Sequence, residues 1–258
     1  MLIYFIIGVL GVISGFLSGL LGIGGGIVMA PLLLYVPPLF GIEPLPMQTV
    51  AGLTIVQGLL GCLAGSLTHK KFHFVSNRLT VYMGTTIFLT AAAGGAGAGF
   101  VSDNILLFVF ATLAFTASFL MLVPVKKDSE NPDVATVAFS RFRAVTAASG
   151  VGLLGGLVGQ GGSFILIPLM TSYVQIPTRI AIGSNLAIVL LSSLAGFIGK
   201  ATTGQIAWLL TIPILLTVIP AASIGGRVSR KVPIHDLRKL LAVLIALAAV
   251  RMWCSLLF

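Results

Sequence analysis

Two stretches of this chain combine residue types that could hold a small anion. Leu20-Leu21-Gly22-Ile23-Gly24-Gly25-Gly26 ends one apolar run and precedes a short one, and Gly159-Gln160-Gly161-Gly162-Ser163 stands in the same relation to a second pair of runs. A glycine in a helix interior costs about 1 kcal/mol, so three in succession predict an unwound backbone over Gly24, Gly25 and Gly26. The short helix that follows then turns its unpaired N–H groups and the positive end of its dipole toward the break, an arrangement suited to negative charge. In the second copy Gln160 and Ser163 add an amide and a hydroxyl to Gly161 and Gly162. Close helix packing does not call for consecutive glycines. It does account for Gly15/Gly19 and Gly152/Gly156, which have small-xxx-small spacing. Neither stretch binds a nucleotide: a dinucleotide fingerprint needs glycine where Ile27 and Phe164 stand, and no Gly-Lys-Ser/Thr follows.

Polar residues in the apolar runs after each motif are the next candidates for an anion shell. Thr54 and Gln57 follow the first motif, and Ser184 and Asn185 follow the second. Each could equally bond a neighbouring helix or its own backbone. The acids Glu43, Asp103, Asp128, Glu130, Asp133 and Asp236 all fall in loops or at the ends of runs. Proton relays and cation pumps place carboxylates within the membrane, so that chemistry is not indicated. His69 and His73, beside Lys70 and Lys71, read as interfacial rather than as metal ligands, and Lys200 as a side chain reaching for the outer interface. No Ser/His/Asp, Cys/His or metal-ligand constellation is present, so the chain reads as a non-enzyme with no cofactor. Cys62 and Cys254, far apart inside apolar runs, read as buried and unpaired.

These residues must be positioned by membrane helices. Of 258 residues, 57% are hydrophobic and 8% charged, whereas a soluble domain carries about 25% charged residues; six carboxylates and fifteen Lys/Arg cannot cover a water-facing surface. The net charge of +9 implies no nucleic acid, because the basic residues cluster in short loops as membrane topology requires. Apolar runs predict helices at 2–21, 27–36, 48–68, 79–100, 104–123, 142–158, 161–172, 180–199, 205–225 and 237–257. A span needs about 20 residues, so the runs at 27–36 and 161–172 are too short to cross alone. The N-terminal run lacks a basic flank and continues into the first motif, so it is read as a retained helix.

The chain also repeats itself. Gly15, Gly19, Gly22, Gly24, Gly25 and Pro31 match Gly152, Gly156, Gly159, Gly161, Gly162 and Pro168 at one offset. At a second offset Gly52 matches Gly183, Thr54 matches Asn185, and Leu63-Ala64-Gly65 matches Leu194-Ala195-Gly196. Residues 1–124 form one membrane repeat, 125–141 a polar cytoplasmic linker and 142–258 the second repeat. If each motif closes a hairpin, every Lys and Arg except Lys200 and Arg251 faces the cytoplasm. Each half then crosses an odd number of times. The expected fold is an all-α polytopic bundle of two inverted repeats, each a Gly-rich broken helix or re-entrant hairpin followed by three membrane helices, as in secondary transporters.

GFLSGLLGIGGGIVMAPLL at 15–33 and GLLGGLVGQGGSFILIPLM at 152–170 resemble the sulfite exporter TauE/SafE family of small bacterial membrane permeases, and 182–200 and 224–247 extend the resemblance over nearly the whole chain. The resemblance implies transport of small sulfur-containing anions such as sulfite, thiosulfate or sulfonates. Combined with the residue reading, it leads to an anion permease of the inner (cytoplasmic) membrane, with a passive anion channel or a carrier of another small organic anion as the alternatives. The expected partners are the anion and the lipid bilayer; a homodimer is allowed but not required.

Overall fold

A computed structural model describes residues 1–97, 103–122, 132–134, 137–158, 163–202, 204 and 206–257. Within them ten α-helices follow one another: α1 (Leu2–Leu21), α2 (Gly26–Leu39), α3 (Met47–Lys71), α4 (Asn77–Gly97), α5 (Asp103–Leu122), α6 (Arg141–Val158), α7 (Ser163–Ser172), α8 (Thr178–Thr202), α9 (Trp208–Lys231) and α10 (Ile234–Leu257). Each predicted run becomes a helix, with ends shifted by a few residues. Most of the expected linker, 125–141, lies outside the described residues.

The bundle is apolar on its outside and carries polar groups within, the reverse of a soluble protein. Phe5, Phe115, Phe119, Leu209 and Leu216 are exposed, while Ser14, Ser18, Gln57, Asn185 and Ser193 are buried. That is the polarity of a multi-pass membrane protein. Leu2–Leu21, Thr49–Lys71, Thr178–Ile198 and Trp208–Lys231 are long and apolar enough to cross a bilayer. At 1.5 Å per residue, the 14 residues of α2 and the 10 of α7 fall short of a 30 Å hydrocarbon core. The chain reverses between α1 and α2, placing the Met29 sulfur 3.3 Å from the Ser14 hydroxyl.

Helix pairing brings the two halves together. α1 lies along α9 in the same direction: Gly8 faces Pro213, Gly15 faces Val218 and Ala221, and Gly19 faces Ala222 and Gly226. In the same way α6 lies along α4, with Gly152 against Ile87 and Thr90 and Gly156 against Ala91. These are the same contacts made twice, because moving Gly15 and Gly19 to Gly152 and Gly156 moves their partners to Ile87, Thr90 and Ala91 in register. α3 and α8 cross antiparallel, with Gly65 against Leu186 and Gly196 against Ile55. Exchanging the matched halves of the sequence turns one of those pairs into the other. Glycine is required where α1 meets α9 and α6 meets α4, because a Cβ on Gly19 or Gly156 would fall on the facing backbone at Ala222 or Ala91.

One end of the bundle is knitted together by cations on aromatic rings. Arg78 lies over Phe139, Arg141 over Tyr82, Arg143 over Tyr173 and Arg179 over Phe74, at 5.3–5.7 Å from the ring centres. The Arg179 guanidinium also donates to Ser229 O at 2.7 Å and Val232 O at 3.0 Å, capping the C-terminus of α9. The loops after α3, α7 and α9 and the start of α6 therefore share one end. Two expectations change here. His69 is buried, not interfacial: its Nε2 donates to Gly19 O at 2.8 Å, so the side chain ties α3 to α1. Cys254 is exposed on α10, whereas Cys62 is buried as expected.

Candidate functional site

The first glycine motif breaks the chain as its composition predicts. Gly22 caps α1 in the left-handed conformation, with its N–H donating to Ser18 O at 2.8 Å. Gly24 and Gly25 have φ of 68° and 77°, values that cost an L-residue roughly 1–2 kcal/mol. Gly25 is the N-cap of α2, and its carbonyl accepts from Val28 and Met29. The first N–H groups of α2 thus point toward the break without intrahelical partners.

Gln57 faces this helix start from near the middle of α3. Its side chain is fully buried, and neither its amide nitrogen nor its amide oxygen has a hydrogen-bond partner among the described residues. The amide nitrogen occupies the space where a Gly25 Cβ would stand, and it lies 3.5 Å from the Cβ position of Gly61. The buried Ser18 hydroxyl, also without a partner, sits 2.9 Å from that Gly61 position. Leaving a buried polar group unpaired costs about 1–3 kcal/mol. Two such side chains, brought together around Gly61 with Gln57 against the start of α2, make this the candidate site.

The second half closes around the same point. The Ser163 hydroxyl, at the start of α7, donates to Ile23 O at 2.7 Å. The Asn185 amide nitrogen donates to Gly22 O and, at 3.0 Å, to Ser163 O, while its own oxygen is buried with no partner among the described residues. Two backbone carbonyls facing one side-chain atom require a donor there, which fixes the orientation of the amide. Gly24 completes the cluster, its Cβ position lying 3.1 Å from Cys62 Sγ and 3.5 Å from Ser163 Oγ.

Of the residues singled out from sequence, Gly24, Gly25, Gln57, Ser163 and Asn185 come together, with Gly26 beginning α2 beside them. Asn185 holds a different post from the one anticipated: both donors of its amide group serve backbone carbonyls, so it joins the two motifs rather than presenting an N–H to a ligand. The Thr54 hydroxyl donates to Val50 O at 2.9 Å and Ala51 O at 3.1 Å of its own helix. Ser184 lies at the α3–α4 connection, where its oxygen accepts from Ser76 N at 2.9 Å. Gln160, Gly161 and Gly162 lie outside the described residues. Ser18 and Gly61 lie in the same cluster and were not anticipated. No group of three or more His, Cys, Asp or Glu that could hold a metal occurs among the described residues.

Comparison with known proteins agrees with this architecture. The family model described as Sulfite exporter TauE/SafE matches residues 7–252. The chain is 24% identical to "Probable membrane transporter protein YunE" of Bacillus subtilis (strain 168), over 99% of this chain and 97% of that protein. It is 25% identical to a "Probable membrane transporter protein" of Haemophilus influenzae, over 94% and 95%. It is 24% identical to "Probable membrane transporter protein MJ0441" of Methanocaldococcus jannaschii, over 91% and 89%. No solved structure matches it.

Proposed function

The chain belongs to the sulfite exporter TauE/SafE family, a membership on which we propose that it is a secondary transporter moving a small sulfur-containing anion (sulfite, thiosulfate or a sulfonate) across the cytoplasmic membrane. The observation that carries this reading is the pair Gln57 and Gly25: a buried amide without a partner among the described residues, set against the N-terminus of a broken helix. The α2 N–H groups and the Gln57 amide nitrogen supply donors without any cationic side chain. A sulfur oxoanion presents several acceptor oxygens to such a cradle, and Ser18 adds a hydroxyl.

The site lies beside the crossing of α3 and α8, near the middle of both, where secondary transporters hold substrate between repeats. The repeated glycine contacts support two inverted halves, and the shared basic end supports placing the loops 69–78, 125–141 and 226–236 in the cytoplasm. Exchange between the two sides would rock one half against the other. Asn185 and Ser163 tie Gly22 and Ile23 to the second half, so these hydrogen bonds are the contacts that such a motion rearranges. Among the described residues the site offers a ligand hydrogen bonds and a dipole, and the Cys62 thiol beside Gly24 has no His, Asp or Glu in the cluster to activate it, which favours carriage over catalysis.

Binding of sulfite, thiosulfate, sulfoacetate, taurine and simple carboxylates to the purified protein tests the proposal. Saturable binding of a sulfur oxoanion, with flux that saturates in proteoliposomes, is expected. Flux that rises linearly with concentration would indicate a channel, and preference for a carboxylate would reassign the substrate.

A further inference from the structure

A groove lies on the apolar outer side of the bundle, lined by residues of α3 and α9. The C-terminal parts of these two helices border it, and its volume is about 250 Å³. Leu63, Leu67 and Ile219 form its apolar wall, and all three are exposed, Leu67 by 53%. Lys71 and Arg227, both exposed, line the same groove, and so does Phe72, whose ring carries Arg230 at 5.0 Å. Apolar side chains open to hydrocarbon, topped by cations at the ends of two membrane helices, match an acyl chain beneath a negatively charged headgroup.

We propose that this groove binds an anionic phospholipid, its phosphate held by Lys71 and Arg227 and one acyl chain lying along Leu63, Leu67 and Ile219. Charge decides between lipid classes. Two helix C-termini contribute roughly half a negative charge each, and the positive charges of Lys71, Arg227 and Arg230 outweigh them. A net negative headgroup is therefore drawn in, while a zwitterionic one gains little. Basic sites between helices at the membrane boundary recognise anionic lipids on this principle. The volume is below that of ordinary small-molecule pockets, which fits a headgroup whose chains extend along the outer surface. In the topology proposed above the lipid belongs to the cytoplasmic leaflet, but the site itself does not depend on the anion reading.

Native mass spectrometry of the full-length protein in detergent, titrated separately with phosphatidylglycerol and with phosphatidylcholine of the same chains, tests the proposal. Wild type should bind phosphatidylglycerol several-fold more tightly. The double variant Lys71→Gln/Arg227→Gln should lose about tenfold of that affinity, while Arg141→Gln/Arg143→Gln should lose none. Glycerol phosphate should not compete, because it lacks the acyl chain. Equal binding of both lipids, or an unchanged double variant, would overturn the proposal. If the double variant cannot be purified, Ser223→Leu, which fills the groove and keeps both charges, should weaken phosphatidylglycerol binding; wild-type binding by that variant would equally refute the site.

Discussion

The Gln57 amide nitrogen occupies the space that a side chain on Gly25 would need. Gln57 lies on α3 and Gly25 caps the start of α2, and each explains an oddity of the other. Gly25 has a positive φ that glycine tolerates, and its missing side chain lets a buried amide reach the start of a helix. Gln57 gives up solvent for that position without gaining a partner among the described residues.

Gly25→Leu should therefore abolish anion binding while the protein still inserts in the membrane. The added side chain meets Gln57 and opposes the left-handed backbone, a cost of roughly 1–2 kcal/mol from the backbone alone. Substrate binding of detergent-purified protein, with membrane yield as the control, provides the check. Wild-type affinity in this variant would reduce the break to a packing feature.

Asn185 should respond differently to two substitutions. Asn185→Leu removes two hydrogen bonds to backbone carbonyls and should destabilise the protein by about 2 kcal/mol. Asn185→Asp places oxygens against Gly22 O and Ser163 O, so it should be the more harmful of the two, both to melting temperature and to substrate affinity. Thermal unfolding and binding measured on the same samples decide it. A milder Asp than Leu would mean that Asn185 does not bridge those carbonyls.

How much of this was legible from residues alone depended on helix geometry. Consecutive glycines in an apolar run have no packing purpose, so the break at Gly24 and Gly25 could be anticipated, although Gly26 already begins α2. The periodic small residues Gly15/Gly19 and Gly152/Gly156 likewise announced tight helix contacts. Ser184 and Asn185 looked like companions because they are neighbours in sequence, but successive helical residues point about 100° apart, and Ser184 faces the α3–α4 connection instead. The same rotation carries His69 inward while Lys70 and Lys71 stay exposed. Ser18 was hidden for another reason. A serine in an apolar helix ordinarily bonds the preceding turn, and its lack of a partner among the described residues is a tertiary fact that no local pattern encodes.

Topology can be read with a single thiol. In a Cys254→Ser background, where buried Cys62 is the only native cysteine left, Asp128→Cys should resist a membrane-impermeant maleimide in intact cells and react after permeabilisation. Arg179, Arg230 and their aromatic partners gather at the end of the bundle to which the linker is assigned by its own Lys126 and Lys127. Labelling from outside would reverse the orientation of both halves.

Gln57→Leu separates a ligand-binding role from a structural one most sharply. A structural amide stabilises its protein through its hydrogen bonds, so replacing it should lower the melting temperature. Gln57 makes none among the described residues while fully buried, so leucine, similar in size and apolar, removes a desolvation cost of about 1–3 kcal/mol. The ligand-free variant should melt several degrees higher than wild type. The same change deletes a donor to the anion, worth about 1.5–3 kcal/mol toward a charged group, so affinity should fall roughly ten- to a hundredfold. Added thiosulfate or sulfite should then no longer raise the melting temperature of the variant as it does that of wild type. Gln57→Glu supplies the complementary sign: an ionised carboxylate repels the anion, and lowering the pH to protonate it should restore part of the binding. Thermal shift with and without anion, across pH, measures all of these on one sample set. A Gln57→Leu protein that melts lower and still binds anion as wild type does would remove Gln57 from the site, and with it the observation on which the transport reading rests.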